Sequence, residues 1–228
     1  MISMNPARIA ELLAPFATVT ATQLDYISIY IDLLQRWNAR VNLTAIRDPE
    51  EIVTRHFGES LFAASHLLPR SALADSATNS PAADEARLHR IVDLGSGAGF
   101  PGLPLKIWSP QSSVTLIESN QKKVAFLREV TRALTLTSID VFPHRAEAYP
   151  PATAALVTLR AVERFKTILS TATSLVRPGG RLALLIATPQ IPAATIQPLT
   201  WSAPIPIPES ASRVLLTGLL SPSNESNQ

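Results

Sequence analysis

Apolar positions in the first third of the chain recur every three or four residues, which is the period of an amphipathic helix. The first such helix is predicted to start at Thr20 or Thr22, either of which can cap it. Its apolar stripe is Leu24, Ile27, Ile31 and Leu34. A second helix is predicted to start at Asp48, an acidic cap that precedes Pro49 at the first helical position. Its buried face is Ile52, Val53, Phe57 and Leu61.

From Arg90 the pattern changes to short apolar runs of strand type that alternate with helical stretches. Strands are predicted over 91–94, 114–117, 139–142, 154–159 and 181–187, and helices over 103–108, 121–134 and 162–176. This alternation predicts an α/β fold with a mostly parallel sheet and right-handed crossovers. Arg213–Leu219 is expected to be an antiparallel strand at one edge, and residues 178–180 a turn before the fifth strand.

The same pattern divides the chain into regions. Residues 1–68 are predicted to be a helical region packed on the core, and residues 90–220 the α/β domain. Residues 69–89 between them are rich in Ala, Ser, Asp and Pro without a period, which is typical of a variable linker or insertion. Residues 221–228 are expected to be a flexible tail.

Composition narrows the class of protein. Apolar residues make up 46% and charged residues 17% of the 228, which excludes a wholly disordered chain. The apolar runs are too short to span a bilayer, and the first twenty residues lack a secretion signal, so a cytoplasmic protein is expected. Without cysteine there is no disulfide or thiolate metal site, and no metal is expected. A net charge of +2 permits RNA binding but does not argue for it.

A glycine-rich segment follows the first predicted strand, and we call Gly95–Gly102 the glycine loop. Glycines allow a tight turn and let the backbone approach a ligand at the carboxyl end of a strand. The alternative is a turn with only a structural role. The spacing Gly97-x-Gly99-x-x-Gly102 also matches a dinucleotide site.

Two observations weigh against a dinucleotide. Pro101 and Pro104 interrupt the start of the helix that should bind the pyrophosphate, and Asp93 places a carboxylate beside it. A carboxylate at Asp93 suits a ligand that carries an amino group and a sulfonium. The segment therefore favours S-adenosylmethionine.

Two more segments complete the expected cofactor site. Glu118 follows the second strand, where a carboxylate can accept hydrogen bonds from both hydroxyls of a ribose. A solvated glutamate at a strand end is the alternative. Ala146 and Glu147 follow the third strand, where a backbone amide can bind the adenine edge.

Several motifs resemble the RsmG (GidB) family of bacterial guanine methyltransferases that act on small-subunit ribosomal RNA. The resemblance runs from about Leu33 to about Leu185, and its motifs are Trp37-Asn38-x-x-Val41-Asn42-Leu43-Thr44, Arg55-His56-Phe57-x-x-Ser60-Leu61, residues 93–105, Arg145-Ala146-Glu147 and Leu159-Arg160-Ala161. The chain departs from the family at Ile186-Ala187, where Lys-Gly is usual, and at Ala155, where an acidic residue is usual.

The resemblance implies a class I S-adenosylmethionine-dependent methyltransferase with a Rossmann-like domain and an N-terminal helical extension. It implies methyl transfer to N7 of a guanine in 16S RNA, free or within the 30S subunit. Because that nitrogen carries no proton, no general base is expected. Arg160 is expected to position the donor or the target, and a surface salt bridge is its alternative. The predicted cofactor-binding residues are Gly95, Gly97, Phe100, Glu118, Ala146, Glu147 and Arg160.

Other roles stay open at this stage. His56 is expected to hydrogen-bond between the N-terminal helices and the glycine loop rather than to act as a base. The alternatives for the whole chain are a methyltransferase with another substrate and a donor-binding protein without catalysis. The sequence does not indicate an oligomeric state.

Overall fold

The computed structural model describes residues 4–68, 90–160 and 165–222. The predicted linker at 69–89 and residues 223–228 of the predicted tail lie outside the described residues. In the described part, no helix combines the length and the apolar character that crossing a membrane requires.

The N-terminal region is helical. Its elements are α1 (Pro6–Leu13), α2 (Ala21–Asn38), α3 (Pro49–Glu51), a π-helical turn (Ile52–Gly58) and α4 (Glu59–Leu67), the last three forming one continuous stretch. Thr20 caps α2 through a reciprocal capping box with Gln23. Asp48 caps α3 by accepting a hydrogen bond from the backbone of Glu51, as its position before Pro49 predicted.

The strands form one mixed sheet. They are β1 (Arg90–Leu94), β2 (Ser113–Ile117), β3 (Ile139–Phe142), β4 (Ala154–Arg160), β5 (Val176–Ala187), β6 (Thr200–Trp201), β7 (Ile205–Pro206) and β8 (Arg213–Leu219). Their order is β3-β2-β1-β4-β5-β8-β6, with β1 to β5 parallel. The expected antiparallel strand is β8, and the two-residue strands β6 and β7 pair with it.

Helices and short 3-10 turns connect the strands. They are α5 (Gly102–Trp108), α6 (Gln121–Ala133), a 3-10 turn (Ala146–Ala148), α7 (Phe165–Leu175), a 3-10 turn (Thr188–Gln190) and α8 (Ile191–Ala194). The reversal at the first strand, where β2 lies on one side and β4 on the other, creates a crevice at the carboxyl ends of β1 and β4.

The two-residue strands β6 and β7 were not predicted, and the start of the fifth strand also differs from the prediction. Residues 178–180 were expected to form a turn before the fifth strand, but β5 already begins at Val176, which pairs with Ala154. The register with β4 shifts between Ala154 and Leu156, and Gly179 has φ of 72°. The turn is therefore an irregularity within a longer strand, since glycine tolerates the left-handed backbone there.

The sheet has an apolar core on each face. On one face, Val157 and Leu184 pack with Leu169 of α7. On the other face, Ile91 and Leu116 belong to the same apolar cluster as the residues of the N-terminal helices. The helical region thus shares a core with the sheet instead of forming a separate one.

His56 joins the N-terminal helices to the sheet. The residue is 8% exposed, and its ring stacks on Phe100 with 4.7 Å between ring centroids. Nη1 of Arg160 lies 3.0 Å from its Nδ1, and because a guanidinium can only donate, Nδ1 accepts. Nε2 therefore carries the hydrogen and donates to Oγ1 of Thr44, 2.8 Å away. The imidazole is neutral in this arrangement.

The surroundings keep that imidazole neutral. Burial, followed by the positive charges of Arg160, Arg55 and Arg213, lowers the pKa of His56 from 6.5 to about 3. At such a pKa the ring is uncharged at neutral pH and too weak a base to accept a proton, so we assign it a structural role.

We expect His56 to make the protein sensitive to acid. Between pH 6.5 and about 3 the unfolded chain binds a proton at His56 and the folded chain does not, so stability falls as the pH falls. The variant His56→Asn lacks this effect. The free energy of unfolding of the unmodified chain, relative to that of the variant, should therefore fall by about 2 kcal/mol between pH 7 and pH 5.

Denaturant unfolding at both pH values measures this change, and His66→Asn, which removes an exposed imidazole, is the control. A difference between His56→Asn and the unmodified chain that does not vary with pH would show that His56 does not have a low pKa.

Candidate functional site

The glycine loop adopts a backbone that only glycine accepts easily. Gly95, Gly97 and Gly99 have φ values of 68°, 58° and 91°. A β-carbon at Gly99 would lie 2.3 Å from the hydroxyl of Tyr30, so packing requires this glycine. A β-carbon at Gly97 would meet only the carbonyl oxygen of Gly95, at 3.8 Å. Gly97 therefore has open space beside it, as a position that cradles a ligand would.

Asp93 holds this loop from within. Its carboxylate is fully buried, accepts a hydrogen bond from the Thr158 hydroxyl at 2.7 Å, and accepts another from the N–H of Gly102 at 3.2 Å. The expectation that Asp93 suits the amino group of a ligand is therefore wrong. Its oxygens are directed to α5 and β4, and burial raises its pKa from 3.8 to about 6.

Aromatic rings support the loop from the N-terminal side. The Tyr30 hydroxyl donates a hydrogen bond to the carbonyl of Ala98. The rings of Tyr30 and Phe100 stack in parallel with 5.3 Å between centroids, and Phe57 meets both rings edge-on. The Phe100 ring is thus enclosed between Tyr30 and His56. Packing accounts for this ring, and its predicted part in cofactor binding remains a prediction.

Glu118 faces the loop from the end of β2. Its Oε2 accepts the N–H of Gly97 at 3.0 Å, and its Oε1 accepts the N–H of Asn120 at 2.8 Å. The residue is 8% exposed. The side chain is therefore fixed in position by the backbone, unlike a solvated glutamate at a strand end.

A cavity of about 310 Å³ opens beside this carboxylate, and we call it the Glu118 cavity. It is lined by Leu94, Gly95, Ile117, Glu118, Ser119, His144, Arg145, Ala146, Glu147 and Ile168. The structure thus brings together four of the predicted cofactor residues: Gly95, Glu118, Ala146 and Glu147. Gly97 adjoins them through its hydrogen bond to Glu118, whereas Phe100 and Arg160 do not line the cavity.

Arg160 lies in a buried ionic cluster. Its side chain is 8% exposed, its Nη2 donates to the carbonyl of Arg55 at 2.6 Å, and its Nη2 and Nε lie 3.3 and 3.4 Å from Oε2 of Glu59. The alternative of a surface salt bridge is therefore excluded. Whether this guanidinium positions a donor or a target remains a prediction.

Glu59 is the centre of that cluster. Its side chain is 1% exposed, and it accepts hydrogen bonds from Arg55 at 3.1 Å and from Nε of Arg213 at 2.9 Å, in addition to Arg160. The same Nε lies 2.8 Å from the other carboxylate oxygen. We call these four residues the arginine cluster. Three guanidinium groups face one carboxylate, so the cluster carries more positive than negative charge.

Sequence reasoning missed Glu59 and Arg213 as members of a site. The only local signal was the i,i+4 spacing of Arg55 and Glu59 on one helix face. Arg213 approaches from β8, more than 150 residues later in the chain, and no periodicity indicates such a pairing. Within the described ranges, no group of three or more histidines and carboxylates is arranged to hold a metal ion.

Comparisons with known proteins identify the family to which the chain belongs. The chain matches the family model GidB, described as rRNA small subunit methyltransferase G, over residues 23–75 and 64–191. A ribosomal RNA small subunit methyltransferase G from Xanthomonas campestris pv. campestris (strain B100) is 41% identical over 154 residues, which cover 67% of this chain and 64% of the relative. The relative of the same name from Roseiflexus castenholzii is 43% identical over 169 residues, 70% of this chain and 63% of its own length. The chain thus spans slightly less than two thirds of these curated relatives.

A solved structure shares the fold. A SAM-dependent methyltransferase from Aquifex aeolicus superposes with a TM-score of 0.51 at 13% identity, covering 59% of this chain and 83% of the other. The domain is therefore a class I, Rossmann-like methyltransferase fold with a mostly parallel sheet. With a family model that matches most of its length, the chain belongs to the GidB family, whose model is described as rRNA small subunit methyltransferase G.

Proposed function

We propose that this chain binds S-adenosylmethionine in the Glu118 cavity and transfers its methyl group to N7 of a guanine in small-subunit ribosomal RNA. The observation that carries the proposal is the fixed Glu118 carboxylate, held by Gly97 at the wall of a cavity in a member of the GidB family. The partner is the RNA itself or the 30S subunit, which places the reaction in the cytoplasm.

Glu118 is the proposed partner of the donor's ribose. Each of its oxygens accepts one backbone N–H, from Gly97 or Asn120, and keeps a further lone pair. Charge-assisted hydrogen bonds from two hydroxyls can use those lone pairs. Ala146 and Glu147 line the same cavity, where their backbone would bind the adenine edge.

A dinucleotide fits the glycine loop less well. A pyrophosphate needs several N–H groups at the start of a helix. At the start of α5, the N–H of Gly102 donates to Asp93 instead, and Pro104 carries no N–H. The first turn of α5 therefore offers a phosphate few donors and a nearby negative charge.

The proposed reaction requires no general base, because N7 of guanine has a lone pair and carries no proton. When bound, S-adenosylmethionine supplies the methyl group, and the electron pair of the broken S–C bond stays on sulfur. Three ionisable groups on the side of the N-terminal helices fit this chemistry, because each is engaged by another residue: Asp93 by Thr158, His56 by Thr44 and Glu59 by the arginines. What the chain contributes is then the alignment of donor and target.

We assign the target side to the arginine cluster. Arg160 ends β4 at the edge of the sheet where β1 meets the glycine loop. Burial lowers its pKa to about 10, so it stays charged at pH 7. The excess positive charge of the cluster attracts RNA phosphates. Arg160 is accordingly a positioning residue in this proposal.

The chain differs from the usual family sequence on the proposed target side, and this difference supports two other functions. Ile186, where the family usually has lysine, is buried at 2% exposure near the end of β5. The loss of that charge favours methyl transfer to another substrate, or donor binding without catalysis. Assays with naked RNA, 30S subunits and small molecules distinguish these from the proposed reaction.

We expect Gly97→Ala to weaken binding of S-adenosylmethionine at least tenfold, because the added methyl group would occupy ligand space. Gly179→Ala is the matched control, since Gly179 also has positive φ and nothing within 4 Å of an added β-carbon. Because alanine is strained in the left-handed backbone, each variant should lose about 1–2 kcal/mol of stability. Calorimetry with S-adenosylmethionine and with NAD measures the binding. Tight NAD binding without a response to the methyl donor would reject the proposed cofactor.

We expect Arg160→Lys to reduce methyl transfer more than tenfold while donor affinity stays the same. Lysine keeps the charge but loses the planar fork that reaches Glu59 and the Arg55 carbonyl together. Arg181→Lys is the control, because Arg181 is a partly buried arginine that donates to the carbonyl of Leu67 outside the cluster. Single-turnover transfer of labelled methyl to small-subunit RNA, with cleavage at N7-methylguanosine, measures rate and position. Equal loss in both variants would remove Arg160 from the target site.

A further inference from the structure

A second cavity, of about 530 Å³, lies between the end of α2 and the middle of α6. It is lined by Arg36, Trp37, Ala39, Arg40, Val41 and Glu129, and we call it the Trp37 cavity. None of these residues lines the Glu118 cavity. Its volume lies within the ~300–1,000 Å³ that is usual for sites of small ligands.

The indole of Trp37 is held in one orientation. Its Nε1 donates to Oε2 of Glu129 on α6 at 3.0 Å, and its ring meets Phe126 edge-on with 5.7 Å between centroids. The chain turns away after it, since the N–H groups of Arg40 and Val41 both donate to the Trp37 carbonyl. The small side chain of Ala39 leaves the space beside the turn open. A partly buried aromatic ring thus forms a fixed wall of the cavity.

Positive charge surrounds this ring. Arg36 lies in the last turn of α2 and Arg40 in the turn that follows, and both are exposed and line the cavity. Nε of Arg36 donates to the carbonyl of Asp32 at 3.3 Å, which holds its stem along the helix. Arg132 is exposed one turn beyond Glu129 on α6. The cavity therefore combines an aromatic wall, a cationic rim and one carboxylate.

We propose that the Trp37 cavity binds an unpaired nucleotide of the substrate RNA, outside the guanine that is methylated. Arg36 and Arg40 bind phosphates of the strand, and the base packs against the Trp37 indole. Oε1 of Glu129, the oxygen that the indole does not use, accepts a hydrogen bond from an exocyclic amino group. The proposal rests on the proposed function, because it takes RNA to be the substrate.

The chemistry of the cavity favours RNA over other partners. An apolar ligand would use the indole and leave the two arginines without a partner, whereas a nucleotide uses the ring through its base and the arginines through its phosphates. A single strand is required, since a base within a duplex cannot reach the indole.

Packed aromatic rings connect the cavity to the glycine loop through the core. The Trp37 ring contacts the Phe126 ring, which lies 6.2 Å from the Tyr30 ring between centroids. Tyr30 in turn stacks on Phe100 of the loop. Three successive ring contacts therefore separate the cavity from the loop. Hydrogen bonds also link the end of α2 to the arginine cluster. The Asn38 side chain accepts the N–H of Thr44, Thr44 binds His56, and His56 accepts a hydrogen bond from Arg160 of the cluster.

The test compares Arg36→Gln/Arg40→Gln with Arg90→Gln, an exposed arginine at the opposite, amino end of β1. Binding of a fluorescent single-stranded oligonucleotide from the methylated region is measured by anisotropy, without donor, over a range of salt. A duplex of the same sequence is the second probe. For the double variant we expect tenfold weaker single-strand binding and a salt slope smaller by about 1.4, about 0.7 for each lost phosphate contact.

Methyl transfer should then show a higher KM for RNA, with kcat, donor affinity and melting temperature unchanged. Three outcomes would overturn the proposal: single-strand binding unaffected by the double variant, an equal loss in Arg90→Gln, or an equal loss on the duplex. Loss of activity on 30S subunits with normal binding of naked RNA would assign the cavity to a protein partner, and would also overturn it. Failure of the proposed function shows separately, as no donor binding or no methyl transfer by the unmodified chain.

Discussion

The buried carboxylate of Asp93 is the constraint on which the site depends. Removing a carboxylate from water is costly, and burial raises its pKa to about 6 accordingly. Its hydrogen bonds from the Thr158 hydroxyl and the Gly102 N–H offset part of that cost. Because these two partners belong to β4 and α5, the same bonds fix where the glycine loop begins and ends. Without these two hydrogen bonds, the loop that carries Gly97, and with it the contact between Gly97 and Glu118, would lose this support.

Much of the fold could be predicted from the sequence, because its signals are local. Capping by Thr20 and Asp48 needs only residues within one helical turn. The five parallel strands appear as short apolar runs, and their carboxyl ends meet at one edge whatever their exact register. The placement of Gly95 and Glu118 around one cavity followed from that rule alone. The turn at Gly179 was placed wrongly, because a left-handed glycine can bend a strand without ending it, and the two-residue strands β6 and β7 were not predicted.

The direction of a side chain could not be predicted in the same way. Asp93 was expected to face a ligand, yet residues alternate along a strand, and its register with Thr158 turns the carboxylate into the protein. Arg160 shares that side of the sheet, where α4 covers it and supplies Glu59. Contacts between residues 59, 160 and 213 depend on the complete fold, so no motif reveals them. A family motif indicates which residues belong to the site, whereas their contacts depend on tertiary packing.

Charge is distributed more unevenly than the net value of +2 suggests. At the Glu118 cavity, the backbone N–H groups of Gly97 and Asn120 engage the carboxylate of Glu118. On the side of the N-terminal helices, three guanidinium groups share the single carboxylate of Glu59. The proposed sulfonium donor and polyanionic RNA have opposite electrostatic needs. A neutral His56, which accepts a hydrogen bond from Arg160 and stacks on Phe100, adds no charge to the arginine side. The helical region is therefore part of the proposed site, because it supplies the positive side of that division.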